Sequence, residues 1–510
     1  MSTAEPTHMD VPHRGLITFS IMAGTIMQVL DTTIANVALP SMMGDLGASQ
    51  DTITWVLTSY IVAAAIMTPV TGWVSDKYGT KEVFVTCIIG FVIASMACGM
   101  ATSLTEMVGF RLLQGVFGAA IVPLSQTILL NINPPEKFGQ AMALWGAGIM
   151  VGPIIGPTLG GYLTEHFSWR YVFFINLPVG IVAAIGCTLF LPETVRRIRN
   201  FDFFGFAMIS LGVGALQLLL DRGSGNDWFN STETWIELGL TLTGFWVFIV
   251  HIYTAKNPFI EPVIFTDRNF VMATMFGFVI GLVLFSSLAL LPPMLTDIYG
   301  YPTVTTGLVM APRGMGTMFS MLMVGRLVQK FDARYLVVTG LMLTATAFWM
   351  MSGFTPQMGD WPVITSGVVQ GLGMGLVFVP LSTVAFATMP QRLRGEGTSL
   401  FTLVRNIGSS IGISIVSVVL TRNIQINHAE LSTHINPYNP VLKHYFPSAA
   451  AGNPQMLKML NLYLVDMQSL MISYVDDFHL MMLVTICAIP LALMLKKPKG
   501  KVVASAAAME

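Results

Sequence analysis

Two residues in this chain carry more chemical consequence than any others, Asp31 and Arg111, because each sits in a run of apolar residues. Asp31 lies near the middle of LITFSIMAGTIMQVLDTTIANVALP (16–40). A carboxylate at the centre of an apolar helix costs on the order of 2.5–3.5 kcal/mol on insertion scales, so it faces a bundle interior or a water-filled cavity. Two roles fit: a structural acid paired to a neighbour, or a protonatable group on a transport path. Arg111 is the second costly charge, in the run 106–130. At 1.5 Å per helical residue, Asp31 lies roughly 10 Å and Arg111 roughly 8 Å below the same membrane surface. One carboxylate that holds either a proton or a cationic ligand is the simplest exchange device. Gln28, one turn before Asp31, and Gln114, one turn after Arg111, complete a polar patch or bond between helices. Two further arginines, Arg313 and Arg405, fall roughly eight residues inside their runs by the same rise. They bind anionic groups of a substrate or neutralise buried helix ends, and the sequence leaves both readings open.

These residues need a membrane scaffold. Hydrophobic residues make up 54% of the chain and charged residues 10%, against about 25% charged in soluble domains. Such a chain cannot clothe itself in a polar surface, so it lies in the lipid bilayer. It carries no basic tract for nucleic acid. The four cysteines all fall in apolar runs and form no disulfide or metal framework. No phosphate-cradling loop or catalytic constellation stands out, so neither ATP hydrolysis nor other enzyme chemistry is expected, and no cofactor is expected. The 35 methionines suit soft walls for varied hydrophobic ligands.

Fourteen apolar runs reach spanning length: 16–38, 53–74, 83–101, 106–130, 140–163, 171–191, 203–220, 235–254, 270–295, 305–328, 335–354, 362–389, 397–420 and 478–495. Basic residues orient them. With the N-terminus in the cytoplasm, the inner loops hold Lys77, Lys81, Lys137, Arg196, Arg197, Arg199, Lys330, Arg392, Lys496, Lys497, Lys499 and Lys501, while the short outer loops hold only Arg170 and Arg222. Both termini are then cytoplasmic. The segment 421–477 reads as a long outer loop, polar at first, then an amphipathic helix with Met456, Leu460, Tyr463, Leu464, Met467 and Met471 on one face, lying on the outer surface or over the outer mouth.

The chain repeats itself. GWVSDKYGTK (72–81) is echoed by GRLVQKFDAR (325–334), and QGVFGAAIVPLS (114–125) by QGLGMGLVFVPLS (370–382). The offsets, 253 and 256 residues, nearly agree. They pair spans 1–6 with spans 9–14 and leave spans 7 and 8 as a linker. The organisation expected is a cytoplasmic tail 1–15, a six-helix bundle 16–192, two linker spans 203–254, a second bundle 270–495 and a tail 496–510. Two parallel six-helix repeats are the plan of major facilitator transporters, with substrate at their interface.

The motifs together make the chain resemble an EmrB-type, fourteen-span drug:proton antiporter of the major facilitator superfamily. LDTTIANVALP (30–40), GWVSDKYGTK, RLLQGVFGAA (111–120), GIMVGPIIGPTLGG (148–161) and WRYVFFINLPVG (169–180) are similar to that group's motifs, in its order. The resemblance implies an all-α major facilitator fold, the first and fourth spans lining the central cavity, and proton-driven export of hydrophobic toxic compounds. It also implies Asp31 and Arg111 in proton coupling, with Gln28, Asp31, Gln114, Arg313 and Arg405 near substrate. In the loop motif, Gly72 and Gly79 allow tight turning, and Asp76 with Lys77 and Lys81 can pair across helices as an inner gate. In the fifth span, Gly148, Gly152, Gly156 and Gly160, with Gly161, form a smooth face, and Pro153 and Pro157 bend the helix. That hinge marks antiporters. Gln329 stands where the repeated loop motif would have its acid and Asp332 replaces its second glycine, so the halves are expected to lock differently. The resemblance further implies a periplasmic adaptor and an outer-membrane channel as partners, in the inner membrane of a Gram-negative bacterium. Rival readings are a narrow-specificity exporter of fatty acids, bile acids or a metabolite, and a receptor that transports nothing.

Overall fold

A computed structural model of the chain describes residues 9, 11–194, 196, 200–223, 225–436, 439–447 and 453–493. The predicted tail 496–510 and the basic residues Arg197, Arg199, Lys496, Lys497, Lys499 and Lys501 lie outside the described residues, as does most of 1–15. The regular structure among the described residues is all helical, with no strand. Backbone groups in lipid must be satisfied within a segment, and a helix does this alone.

The first half comprises α1 (Arg14–Asp45), α2 (Trp55–Met67), α3 (Thr71–Tyr78), α4 (Thr80–Met100), α5 (Leu104–Gly118), α6 (Ile121–Ile132), α7 (Phe138–Ile149), α8 (Val151–His166) and α9 (Asn176–Phe190). Helices α10 (Phe203–Arg222) and α11 (Thr232–Thr254) pair with each other. The second half comprises α12 (Arg268–Asp297), α13 (Thr303–Leu327), α14 (Ala333–Met351), α15 (Asp360–Ala387), α16 (Arg394–Ser432) and α17 (Met467–Ala492). Twelve continuous helical stretches among the described residues are long and apolar enough to cross a bilayer, and α2 with α3, bent by 58°, would make a thirteenth. The expected span 305–328 falls on helix α13, which is not among these stretches. It is 25 residues long but falls short in apolarity because Arg313 and several glycines and threonines interrupt it. It needs less apolarity because it packs between α15 of its own half and α7 and α8 of the other.

The halves meet along two seams. On one, α7 and α8 lie on α13; on the other, α3 and α6 meet α16. Helix α10 touches both α2 and α16, so the linker pair lies against both halves rather than against one. Gln217 accepts a hydrogen bond from Ser410 of α16 at 2.8 Å, and Asp221 accepts one from Thr58 of α2.

The outer segment differs from expectation. Helix α16 runs on to Ser432, and Pro454–Ala492 is one continuous helical stretch with a π-helical turn at Asn461–Asp466. The two run side by side. His428 pairs with Asp466 at 3.0 Å, Asn427 with Ser473 at 3.1 Å and Asn423 with Asp476 at 3.4 Å. The residues read as one amphipathic stripe are divided: Met456 and Leu460 join Ile435 and Leu442 in a small tip cluster, while Met467 and Met471 pack into the second half's core. Leu464 of the stripe stays exposed, and the segment is an extension of two spans rather than a helix lying on the membrane. At 1.5 Å per residue, the 39 residues of α16 extend about 58 Å, well beyond a hydrocarbon core of about 30 Å.

Candidate functional site

Five helices of the first half converge on Asp31. Arg111 and Gln114 stand one turn apart on α5, so both reach the same point on α1. Arg111 Nη1 lies 2.8 Å from Asp31 Oδ2, and Gln114 Nε2 donates to Oδ1 at 2.9 Å. Asn176, the first residue of α9, donates to the same Oδ1 at 2.7 Å and to Ser95 Oγ of α4 at 2.9 Å. Ser95 in turn donates to the Phe173 carbonyl. Arg111 is held on its other sides as well: Nη1 also reaches Gln114 Oε1 at 2.7 Å and Nε donates to the Val56 carbonyl at 3.0 Å. Its guanidinium lies over the Tyr60 ring at 4.4 Å and the Phe173 ring at 5.7 Å, positions where a cation is attracted by the ring face.

Asp31 is 0% exposed and Arg111 1%. Three donors and no acceptor meet the carboxylate, the inventory an ionised acid accepts. The pair is neutral as a unit, which is what allows both charges to stay buried. Removing either leaves the other uncompensated. The pair and its shell therefore tie five helices to one point.

The predicted residues divide into those brought together and those not. Asp31, Arg111 and Gln114 form one cluster. Gln28 is adjacent but donates to the Tyr60 hydroxyl at 2.7 Å rather than to Asp31. Arg313 lies in the second half, and Arg405 is half-buried on α16 with its Nε unpartnered. Sequence reasoning did not single out Asn176, Ser95 or Tyr60. Asn176 had a usable signal, an amide within an apolar span. Ser95 and Tyr60 had none, since both are common in spans.

Gly148 at the end of α7 and Gly152, Gly156 and Gly160 of α8 position α1. An added Cβ at Gly148 would lie 2.2 Å from Met22, at Gly152 2.7 Å from Val29, at Gly156 2.2 Å from Thr33 and at Gly160 3.1 Å from Ile34. The glycine face is thus the seat of the stretch of α1 that carries Asp31. Gly161 faces Val304 of the second half at 3.3 Å. Pro153 is the third residue of α8; lacking an N–H, it leaves the Ile149 carbonyl without its helical donor, and α7 ends there. Pro157 lies inside α8.

At the end carrying Lys77, Lys137 and Arg392 the halves are closed on each other. Gly72 lies against the Glu396 backbone, where a Cβ would come within 2.9 Å. Thr127 and Thr398 share a hydrogen bond of 2.6 Å, and buried Arg394 donates to the Leu130 carbonyl at 3.2 Å and Asn131 Oδ1 at 3.0 Å. Gly79 has φ +99°, a conformation that favours glycine. Asp76 is half-buried in the preceding turn. Lys77 does not pair across helices: its ammonium stacks over Trp73 at 4.7 Å and Tyr78 at 5.3 Å. Neither Lys77 nor Lys81 forms an ion pair among the described residues. An ammonium over a ring face is attracted by the negative face of the ring. The repeated motif closes differently, with Gln329 donating to the Glu136 carbonyl at 3.0 Å and Asp332 capping α14 through Arg334 N at 3.1 Å.

The two halves meet at two seams, and the first half holds a buried ion pair. The family model described as Major Facilitator Superfamily matches residues 21–413. Solved structures agree in fold: the human organic anion transporter MFSD10 (TETRAN) superposes with a TM-score of 0.60 at 15% identity, over 93% of this chain and 100% of that one. The proton:xylose symporter XylE gives 0.58 at 13%, over 94% and 99%. The chain belongs to the major facilitator superfamily and is a transporter, not an enzyme. Within it, the chain is 37% identical to the multidrug export protein EmrB of Escherichia coli (strain K12) over 432 residues, 83% of this chain and 84% of that protein. It is also 37% identical to the fatty acid resistance protein FarB of Neisseria gonorrhoeae over 432 residues, 84% of each chain. It is an EmrB-type member of the superfamily.

Proposed function

We propose that this chain exports hydrophobic toxic compounds in exchange for protons, by alternating access between its two halves. The observation that carries this reading is the Asp31–Arg111 pair, fully buried and held by donors from α5 and α9. Protonating Asp31 releases Arg111 and loosens the α1 contact with both helices; deprotonation restores it. A cationic ligand that competes with the proton for this carboxylate couples the two fluxes. The likeness to EmrB over most of both chains supports the multidrug reading, and the equal likeness to FarB favours, as a second reading, a narrower cargo of fatty acids. The energy source is the proton gradient, without a cofactor. The setting is the inner membrane of a Gram-negative bacterium, with both termini in the cytoplasm.

The tip of the α16 and Pro454–Ala492 pair is the docking surface for a periplasmic adaptor, which hands cargo to an outer-membrane channel. A stiff helical pair extending beyond the bilayer suits such a contact better than a loop, because little order is lost on binding. The direct test is substrate flux in proteoliposomes under an imposed pH gradient. Uptake driven by the gradient and abolished by its collapse is expected; flux indifferent to the gradient overturns antiport. Deleting 430–470 is expected to abolish adaptor capture and to reduce adaptor-free flux far less. Continued co-purification would place the contact elsewhere.

A further inference from the structure

The second half contains a counterpart of the Asp31 site in which the acid is missing. Ser287, Gln370 and Gly367 lie 256 residues after Asp31, Gln114 and Arg111, and Arg313 lies 253 after Tyr60, the same offsets as the sequence repeat. The hydrogen bonds repeat too. Gln370 Nε2 donates to Ser287 Oγ at 3.2 Å as Gln114 donates to Asp31. Arg313 Nη2 donates to Ser287 Oγ at 2.8 Å as Arg111 does to Asp31, and to the Leu284 carbonyl at 3.3 Å. The cation has moved from one helix to its neighbour. Gly367 makes room for it, since a Cβ there would lie 3.2 Å from Arg313 Cβ.

The result is a charge without a counter-ion. Arg313 is 5% exposed and pairs with no acid among the described residues. A guanidinium stays protonated in a protein. Its Nη1 is buried with no partner, and so is Oε1 of Gln370. Leaving a buried guanidinium unpaired is strongly unfavourable, and a structural strut would be expected to use all its donors. The next residue, Gly314, seats Ile154 of α8, so the site borders the seam that opens in alternating access.

We propose that Arg313, Gln370 and Ser287 form a receptor for the carboxylate of a lipophilic organic acid, the ligand supplying the acid that Ser287 has replaced. The inference rests on the exporter reading for its biological sense, but its chemistry is read by binding alone. The Arg313 guanidinium takes the anionic oxygen through Nη1, the buried donor that has no partner within the protein.

The test uses the full chain in lipid nanodiscs, with binding of radiolabelled decanoate competed by decanoate or by its methyl ester, and empty nanodiscs subtracted. The wild-type protein is expected to prefer decanoate to the ester by at least tenfold. Arg313→Gln should reduce that preference below threefold. Ser287→Asp should do the same, because it gives Arg313 an internal partner of the kind Asp31 gives Arg111; it also relieves the unpaired charge, so the variant folds even if Arg313→Gln does not. A wild-type protein that does not distinguish acid from ester, or a preference that survives Ser287→Asp, overturns the proposal and makes Arg313 a strut satisfied by water. Gradient-driven flux in proteoliposomes is a separate readout: its absence would sink the exporter reading and leave the acid-to-ester ratio to judge this site.

Discussion

The two halves solve the same packing problem with opposite charge bookkeeping. In the first, an acid on α1 meets an arginine and glutamine on α5, and Asn176 completes the set; every charge has a partner. In the second, Ser287 stands in for the acid and Arg313 comes from α13, the helix at the seam. Helix geometry and the glutamine bond are kept while the charge balance is not. A duplicated fold can therefore hold its shape with one half internally neutral and the other cationic. The neutral half is suited to taking up a proton, and the cationic half to an anion.

The largest effect expected from breaking this contrast is in Asp31→Asn. The amide keeps the shape but cannot titrate, so proton release driven by drug binding should vanish; it also leaves the buried Arg111 without its counter-ion, so a fall in melting temperature should accompany the loss of coupling. Normal drug-dependent proton release would remove Asp31 as the coupling group. Next is Arg111→Leu, which strands the carboxylate; losing one partner of a buried pair costs about 3–5 kcal/mol. The double variant Asp31→Asn/Arg111→Leu should recover most of the thermal stability in detergent without recovering coupling. If the single and double variants melt together, the pair is not a unit.

Gly156→Leu probes the seat of α1. Its Cβ alone would stand 2.2 Å from Thr33 Oγ1, and overpacking of this kind costs about 1–3 kcal/mol. Exchange between inward and outward states, followed by cysteine accessibility across the seam, should stop; unchanged exchange would show that the glycine face neither moves nor packs tightly. The smallest effect compares the halves directly. Gln114→Leu removes a bond to a charged acceptor, about 1.5–3 kcal/mol, and Gln370→Leu one to a neutral hydroxyl, about 1 kcal/mol. Equal losses in melting temperature would mean that the Asp31 site is no more charged than its counterpart.

Much of this molecule was written in local sequence. Apolar run length located most of the long helices, because a helix in lipid needs no partner to satisfy its backbone, but among the described residues twelve or thirteen of them rather than fourteen are apolar enough to span. The duplicated motifs specified two halves, and the isolated charges Asp31 and Arg111 announced the site, because a charge in a span is too costly to be incidental. Glycines at every fourth residue of 148–160 announced a close helix contact. What remained hidden were the identities of partners. That Asn176 and Ser95 complete the Asp31 shell, that Lys77 stacks on its own turn, and that 421–477 continues two spans all depend on which surfaces meet across distant segments. The outer segment shows the reason most plainly. Its apolar spacing is the same whether it faces lipid or another helix, and only the packing of Met456 and Leu460 into the tip, and of Met467 and Met471 into the core, decides between them. The charge inversion between Asp31 and Ser287 was likewise present in the residues, but only the tertiary structure brought Arg313 from a different helix to the same place.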